Sequence, residues 1–172
     1  MRKLTFIFLA ATLFSCNNGG TDTKDAVKDT ATTKAYPYKI EHPDAWEMGN
    51  TANTMVVLNS IKAWEDGKLD ESIKYFGDSV RAQFDAFDKK LSNDSLKVLL
   101  TNERNRYKTV ALKMEDWESV VSKDKTQEWV TLWYTQTWET TKGVKDSAAV
   151  INDLQLKGGK IIRIDEYLRK LH

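Results

Sequence analysis

After Lys108 the hydrophobic pattern of the chain changes from a helical repeat to an alternation of apolar and polar side chains. Four alternating segments follow one another, at residues 109–121, 127–140, 147–157 and 160–168. Alternation over such lengths indicates strands with one buried face, and the Lys, Asp and Gly residues between the segments indicate turns. This part of the sequence therefore predicts a run of antiparallel strands that must be covered on one face.

Before the strands, apolar residues recur at helical spacing. A first helix is predicted after the Asn- and Thr-rich stretch 50–54, and its apolar residues are Met55, Leu58, Ile61 and Trp64. Gly67 is expected to end it. A second, short helix is predicted to be capped by Asp70, to carry Ile73 and Phe76, and to end at Gly77.

The sequence between residues 80 and 107 is less uniform. Residues 80–84 fit a short strand, although Phe84, Phe87 and Leu91 also have helical spacing, so both alternatives stay open. A third helix is predicted to open at Ser92 or Asp94. One side of this helix is apolar and the other is expected to be solvated; the apolar residues are Leu96, Leu99, Leu100 and Tyr107, and the solvated ones Asn102, Arg104 and Asn105.

Helices followed by a run of strands are typical of the α+β class, with the helices on one face of an antiparallel sheet. No internal repeat divides the sequence, so we expect one folded domain over residues 36–172.

The N-terminal segment has the pattern of an export signal. Arg2 and Lys3 precede a mainly apolar run, residues 4–14, which is too short to span a bilayer as a helix. The sequence Leu13-Phe14-Ser15-Cys16 resembles the bacterial lipobox, in which the cysteine is acylated before cleavage. We therefore expect residues 1–15 to be a lipoprotein signal peptide. The alternatives are an ordinary secretory peptide and an uncleaved anchor.

Lipidation also accounts for Cys16, the one cysteine of the chain, which cannot form an internal disulfide. Residues 16–35 contain almost nothing apolar and are predicted to be a lipidated flexible tether. A lipid anchor on Cys16 places the protein in the bacterial cell envelope. Because Asn17 rather than Asp follows the cysteine, we expect the anchor in the outer membrane, with the protein facing the periplasm.

Composition excludes several classes of function. The 26 Lys and Arg residues nearly balance the 25 Asp and Glu residues, which leaves no basic field for nucleic acid. A mean hydropathy of −0.54 excludes a polytopic membrane protein. With His42 and His172 as the only histidines and no His pair at helical spacing, we expect no metal site, and no motif indicates a cofactor.

Five polar residues interrupt the mainly apolar faces of the predicted strands; they are Asp116, Tyr134, Gln136, Asn152 and Glu166. A buried polar group without a partner costs a few kcal/mol, so these side chains should meet one another, water or a ligand. If they converge, they define a ligand site. The alternative is that Asp116 and Glu166 lie near strand ends and that Asn152 lies at a bulge.

Several aromatic residues fit either a hydrophobic core or the wall of a cavity. Trp64 and Phe84 are our candidates for the wall. Trp129 and Trp133 fall on the opposite, Thr-bearing face of the second long strand, which indicates a strand covered on both faces or a homodimer contact.

The segments 63–73 and 75–80 resemble the opening helices of the nuclear-transport-factor-2-like superfamily, which includes SnoaL-like proteins and ketosteroid isomerases. Residues 158–167 resemble its closing hairpin, and residues 129–134 its central strand. The resemblance implies that the helices pack in a cone formed by a curved, mostly antiparallel sheet, with an apolar cavity at the open end.

The resemblance does not extend to the catalytic residues of the isomerases. Matching the motifs places Ser60 at the position of the isomerase tyrosine and Phe84 at that of the base aspartate. Asn152 falls near the position of the second aspartate. Steroid isomerisation is therefore not expected.

The sequence leaves three hypotheses. The first is a lipid-anchored protein that binds a small, largely apolar molecule without conventional catalysis, through the seven candidate residues named above. The second is a SnoaL-like acid-base enzyme of isomerase, cyclase or dehydratase type that uses Asp116 or Glu166. The third is an interaction module that dimerises through the face carrying Trp129 and Trp133.

Overall fold

The computed structural model describes residues 36–39 and 45–171. Residues 36–39 belong to a unit of their own and are exposed. The predicted signal peptide, Cys16 and nearly all of the tether lie outside the described residues. Among the described residues, no helix has the length and apolarity needed to cross a membrane.

In the part of the chain that the structure describes, three α-helices and one short 3-10 helix are present. They are α1 (Thr51–Glu65), α2 (Leu69–Ser72), the 3-10 helix Ile73–Tyr75 and α3 (Asn93–Arg104). Asn50 caps α1, since its side chain accepts a hydrogen bond from the Ala52 backbone N–H at 2.8 Å. Ser92 caps α3 in the same way, through the backbone N–H of Ser95 at 3.2 Å.

Two predicted features of the second helix are wrong. Lys68, not Asp70, is the N-cap of α2. Asp70 lies in the first turn, where its negative charge interacts favourably with the positive end of the helix dipole. Gly77 does not end a helix, because the chain turns into a strand at Phe76.

Within residues 45–171, seven strands form one sheet. They are β1 (Trp46–Met48), β2 (Phe76–Phe84), β3 (Phe87–Ser92), β4 (Tyr107–Ser122), β5 (Glu128–Thr140), β6 (Lys145–Lys157) and β7 (Lys160–Leu171). Their order is β1-β4-β5-β6-β7-β2-β3, and every pair is antiparallel except β2 with β7. The prediction of an α+β fold with helices against a curved, open, mostly antiparallel sheet is confirmed.

The four long strands occur where the alternation predicted them, and residues 80–84 are in a strand. Sequence reasoning missed β1 and β3. In β3 the helical spacing of Phe84, Phe87 and Leu91 is overridden by a hairpin in which Asp85 adopts a positive φ of 49°. The rings of Phe84 and Phe87 stack across this hairpin, with centroids 6.1 Å apart.

The core lies between the helices and the concave face of the sheet. Val57 of α1 and Leu96 of α3 are completely buried there, as are Leu132 of β5 and Ile161 of β7. These side chains come from both halves of the sequence, so burial of the concave face holds the helices against the strands.

One irregularity in β4 decides which side chains reach the concave face. Met114 pairs with Tyr134, but Asp116 pairs with Trp133, so Glu115 is an extra residue in the ladder. A bulge of this kind exchanges the two faces of a strand from that point onward. The predicted alternation of β4 therefore holds only as far as Met114.

Candidate functional site

A cavity of about 290 Å³ opens between the helices and the concave face of the sheet. Most of its wall is apolar, and five strands and three helical elements contribute to it. The lining residues with polar or aromatic groups are Ser60, Trp64, Ser72, Phe76, Phe84, Glu103, Tyr107, Tyr134, Gln136, Asn152 and Glu166.

Tyr134 and Asn152 form a buried polar pair on the floor of this cavity. They lie on the neighbouring strands β5 and β6, and the Asn152 amide N–H donates a hydrogen bond to the Tyr134 hydroxyl at 3.1 Å. The Asn152 side-chain carbonyl oxygen is buried and has no partner among the described residues. Burial raises the pKa of Tyr134 well above its usual range, so its hydroxyl stays protonated.

Glu166 of β7 lies between two other predicted site residues. The strand register places it opposite Asn152 of β6 and opposite Phe84 of β2. Burial, together with the nearby charge of Glu103, raises the pKa of Glu166 to about 7. This carboxyl group therefore changes its charge near neutral pH.

A second carboxyl group, Glu103 of α3, also lines the cavity, but it is paired. The Tyr107 hydroxyl donates a hydrogen bond to one of its carboxylate oxygens at 2.9 Å, and Arg106 donates to the other at 2.9 Å. Burial, with the Glu103 hydrogen bond, raises the pKa of Tyr107 to about 12. Both carboxylate oxygens of Glu103 thus accept hydrogen bonds from neighbouring side chains, whereas none of the described side chains forms a hydrogen bond with the Glu166 carboxyl group.

Aromatic rings form one side of the cavity. The rings of Trp64 and Tyr107 meet edge to face with centroids 6.4 Å apart, and Tyr107 also contacts Trp138 at 5.9 Å. The indole N–H of Trp64 is buried and has no partner among the described residues. Among the described residues that line the cavity, Trp64 therefore offers a free hydrogen-bond donor and Asn152 a free acceptor.

The structure brings six of the seven predicted site residues to the cavity; they are Trp64, Phe84, Tyr134, Gln136, Asn152 and Glu166. Asp116 is the exception. The bulge at Glu115 turns it to the convex face opposite Trp133, and it is exposed there. Its predicted position on the buried face is wrong, because alternation along one strand does not reveal a bulge.

Sequence reasoning missed Glu103 and the lining role of Tyr107. The signal was present, since Glu103 continues the helical spacing of Leu96, Leu99 and Leu100 on the buried side of α3. Arg104, expected to be solvated, instead donates hydrogen bonds to the backbone oxygens of Glu65 at 3.1 Å and Tyr107 at 3.2 Å.

The three residues that the sequence resemblance matches to isomerase positions all line the cavity; they are Ser60, Phe84 and Asn152. Ser60 is buried and accepts, through its backbone oxygen, a hydrogen bond from the Ser72 hydroxyl at 2.9 Å, which ties α1 to α2. Phe84 contributes an apolar ring at the base position. Within the described part of the chain, no three His, Cys, Asp or Glu side chains cluster as metal ligands would.

The convex face carries the tryptophans proposed for a dimer contact. Trp129 lies beneath the guanidinium group of Arg163, at 5.4 Å from the ring centroid. Trp133 forms a row across three strands with Ile151 and Tyr167, which are 39% and 63% exposed. The proposed dimer stays a prediction, now centred on the row formed by Trp133, Ile151 and Tyr167.

Comparison with known proteins identifies the fold. No protein-family model matches the sequence, and no curated protein matches it significantly. Solved structures do match: an uncharacterised cystatin-fold protein from Novosphingobium aromaticivorans has a TM-score of 0.57 and 16% identity. That match covers 70% of this chain and 99% of the other.

Two further structures extend the comparison. A nuclear-transport-factor-2-like protein of unknown function from Exiguobacterium has a TM-score of 0.56, 11% identity, and coverage of 66% of this chain and 98% of the other. An LEH-like epoxide hydrolase from M. tuberculosis has a TM-score of 0.56, 15% identity, and coverage of 69% and 84%. The chain has the nuclear-transport-factor-2-like fold, which confirms the resemblance seen in the sequence.

Proposed function

We propose that this protein binds a small, largely apolar molecule in the cavity of its cone. The observation that carries the proposal is the buried, unpaired side-chain oxygen of Asn152 in a mainly apolar cavity. A buried acceptor left without a hydrogen bond costs about 1–3 kcal/mol, and a ligand that donates to it recovers this cost. The volume of about 290 Å³ favours a ligand at the small end of the usual range.

The polar groups of the cavity would orient the ligand while its apolar walls bind the body of the molecule. Asn152 offers an acceptor and Trp64 a donor, so the ligand is expected to carry complementary groups. Gln136 and Tyr134 add buried polar side chains on the same strand.

A thermal-stability screen with hydrophobic metabolites tests this proposal. A ligand at 100 times its dissociation constant adds about 2.7 kcal/mol to the free energy of unfolding. Leu99→Trp, which fills the cavity from α3, should abolish the gain. Val98→Trp is the matched control, because Val98 lies on the same helix and is 60% exposed. Equal gains in both variants would show that ligands bind elsewhere.

We propose further that the protein is a lipoprotein of the bacterial cell envelope, held at the periplasmic side of the outer membrane by acylated Cys16. The support is the lipobox-like sequence 13–16 and its position after an apolar run. Several acyl chains, each buried methylene contributing about 0.8 kcal/mol, would make the anchor effectively permanent.

Mass spectrometry of the mature protein tests the anchor. The expected product begins at Cys16 and carries acyl groups. Cys16→Ser should lack them and leave the membrane fraction. A mature protein that begins elsewhere, without acyl groups, would contradict the proposal.

An acid-base enzyme is the second candidate, and it depends on one observation. Burial raises the pKa of Glu166 to about 7, which suits a group that gives and takes a proton near neutral pH. The similar structures include the epoxide hydrolase named above and a putative polyketide cyclase from Xanthomonas campestris. Catalytic members of the fold thus favour this candidate, without identifying its reaction.

Titration of the Glu166 carboxyl carbon by NMR tests the second candidate. A midpoint of about 7 is expected. A midpoint at the ordinary value of 4.5 would remove the proton carrier at neutral pH. Glu166→Gln identifies the signal.

A further inference from the structure

Glu166 is a carboxyl group without a described partner in a cavity that already holds another carboxyl group. Glu103 lines the same cavity, and its carboxylate accepts hydrogen bonds from Tyr107 and Arg106. Among the described residues, none forms a side-chain hydrogen bond or an ion pair with the Glu166 carboxyl group. None of the described residues that line the cavity is Lys, Arg or His. No cationic side chain of the described cavity wall therefore balances the charge of the Glu166 carboxylate.

Asn152 is a second and independent observation at the same place. Asn152 is 8% exposed, its side-chain carbonyl oxygen has no described partner, and the residue lies opposite Glu166 in the β6–β7 register. The strand pair thus presents a carboxyl group and an amide oxygen side by side. Both accept hydrogen bonds, so the complementary group on a ligand is a donor.

The aromatic wall favours a donor that is positively charged. Trp64, Tyr107, Tyr134 and Phe84 line the same cavity. The faces of aromatic rings attract cations, more strongly when water is excluded. An ammonium group has three N–H donors and no acceptor, and it matches a carboxylate, an amide oxygen and an aromatic wall together.

We propose that the ligand of this cavity is a small apolar amine, bound as its ammonium ion, with Glu166 as counter-ion and the Asn152 side-chain oxygen as a second acceptor. This inference rests on the proposed function of the cavity as a binding site and names the chemical class of the ligand. Trp64, whose indole N–H is a donor, contacts the apolar body or an oxygen atom of the ligand.

The amine should bind more tightly as the pH rises. The groups that face Glu166 are Glu103 from α3, Tyr107 from β4, Tyr134 from β5 and Asn152 from β6, with Phe84 from β2. Both tyrosines stay neutral, since their pKa values are raised. The pKa of Glu166 is raised to about 7, so its carboxylate forms as the pH rises through that value.

Calorimetric titration of the full chain with phenethylamine and phenethyl alcohol tests the inference. The two probes have nearly the same size and differ in the charged group. At about pH 8 the amine is expected to bind about tenfold more tightly than the alcohol. A tenfold difference in affinity has the same free energy as a shift of one pKa unit. Its affinity should fall by up to about tenfold by about pH 6, as Glu166 becomes protonated, while that of the alcohol changes little.

Two variants show whether the preference for the amine depends on Glu166 or on the overall charge of the protein. Glu166→Gln should lose both the preference for the amine and its pH dependence, and continued binding of the alcohol shows that the cavity is intact. Asp116→Asn is the matched control, because it removes a carboxylate on the convex face. It should leave the affinity for the amine unchanged.

The outcomes distinguish this inference from the proposed function. Equal or tighter binding of the alcohol overturns the amine ligand but leaves a cavity that binds apolar molecules. Amine affinity that survives in Glu166→Gln also overturns the inference. No binding of either probe contradicts the amine ligand, and failure of the hydrophobic screen as well contradicts the cavity as a binding site.

Discussion

The hydrogen bond between Tyr134 and Asn152 connects strand β5 to the neighbouring strand β6 within the cavity. Only the amide N–H of Asn152 is satisfied by it, since the carbonyl oxygen has no described partner. A polar pair that leaves one atom unsatisfied adds less to folding than an apolar pair of the same size. The pair is thus better explained by binding than by stability.

A double-mutant cycle measures this pair. Tyr134→Phe removes the acceptor of the Asn152 N–H and should lower the free energy of unfolding by about 1–3 kcal/mol. Asn152→Leu removes both polar atoms of the amide, so adding Tyr134→Phe to it should cost less. The expected coupling is about 1 kcal/mol, measured by chemical denaturation. Additive effects would show that the bond contributes nothing.

Glu166 should make stability depend on pH. Its pKa is raised from 4.5 to about 7 by burial, so the folded state binds its proton more tightly than the unfolded chain. The free energy of unfolding should therefore fall as the pH rises from 4.5 to about 7, by up to about 3 kcal/mol. Above that value the loss is complete, and below 4.5 the stabilisation is fully present.

Comparison with Glu166→Gln isolates this contribution. The glutamine cannot ionise, so the unfolding free energy of the wild type should fall relative to the variant over this pH range. Denaturation of both proteins at about pH 5 and about pH 8 provides the measurement. Parallel pH profiles would contradict the raised pKa.

At the scale of elements, α3 has both a packing role and a cavity role. Leu96 is completely buried in the core, whereas Leu99, Leu100 and Glu103 line the cavity one turn away. The buried side of α3 therefore packs into the core near the start of the helix and lines the cavity nearer its end. Truncation of Leu96, in the first turn of α3, should therefore lower the free energy of unfolding without removing a side chain that lines the cavity.

Leu96→Ala should lower the free energy of unfolding by about 2–5 kcal/mol, because it leaves a hole in the core. Val98→Ala is the control on the same helix, and with Val98 60% exposed its effect should stay within about 0.5 kcal/mol. Chemical denaturation compares the two. Similar losses would show that α3 does not pack as described.

The hairpin between β2 and β3 depends on the conformation of Asp85. Its φ of 49° suits glycine, and a β-branched residue there is strained. Asp85→Val should therefore destabilise the protein by about 1 kcal/mol, and Asp85→Gly by less. Thermal unfolding of the two variants provides the comparison. A valine variant as stable as the glycine variant would contradict the turn.

At the scale of the whole molecule, the sheet has two different faces. The concave face meets the helices and the cavity, and the convex face exposes the row formed by Trp133, Ile151 and Tyr167. An exposed apolar row across three strands fits a self-complementary contact between two copies of the chain. We propose a homodimer through this row.

Light scattering at increasing protein concentration tests the dimer. The wild type should approach twice the monomer mass, and Trp133→Ala should remain a monomer. Trp117→Ala is the matched control, because Trp117 pairs with Leu132 beyond the bulge and therefore lies on the other face. A monomeric wild type would contradict the proposal.

Several features of the molecule were predictable because they depend on local sequence. The alternation in residues 127–140 and 147–157 identified β5 and β6 and their buried faces. This is why Tyr134, Gln136 and Asn152 were predicted on the mainly apolar faces of these strands, and in the structure all three line the cavity. Helical spacing likewise identified α1 and α3.

Other features could not be predicted from local sequence, because they depend on which strands and helices pack together in the folded chain. Whether β4 carries an extra residue depends on its pairing with β5, so the exposure of Asp116 followed from the bulge and not from the alternation. The charge of Glu166 near neutral pH depends on burial among α3, β6 and β2. Sequence therefore determined the two long helices, the four long strands and the buried faces of β5 and β6, which follow from local periodicity. Tertiary structure alone decided which polar groups meet and how they ionise, because these depend on contacts between residues far apart in the chain.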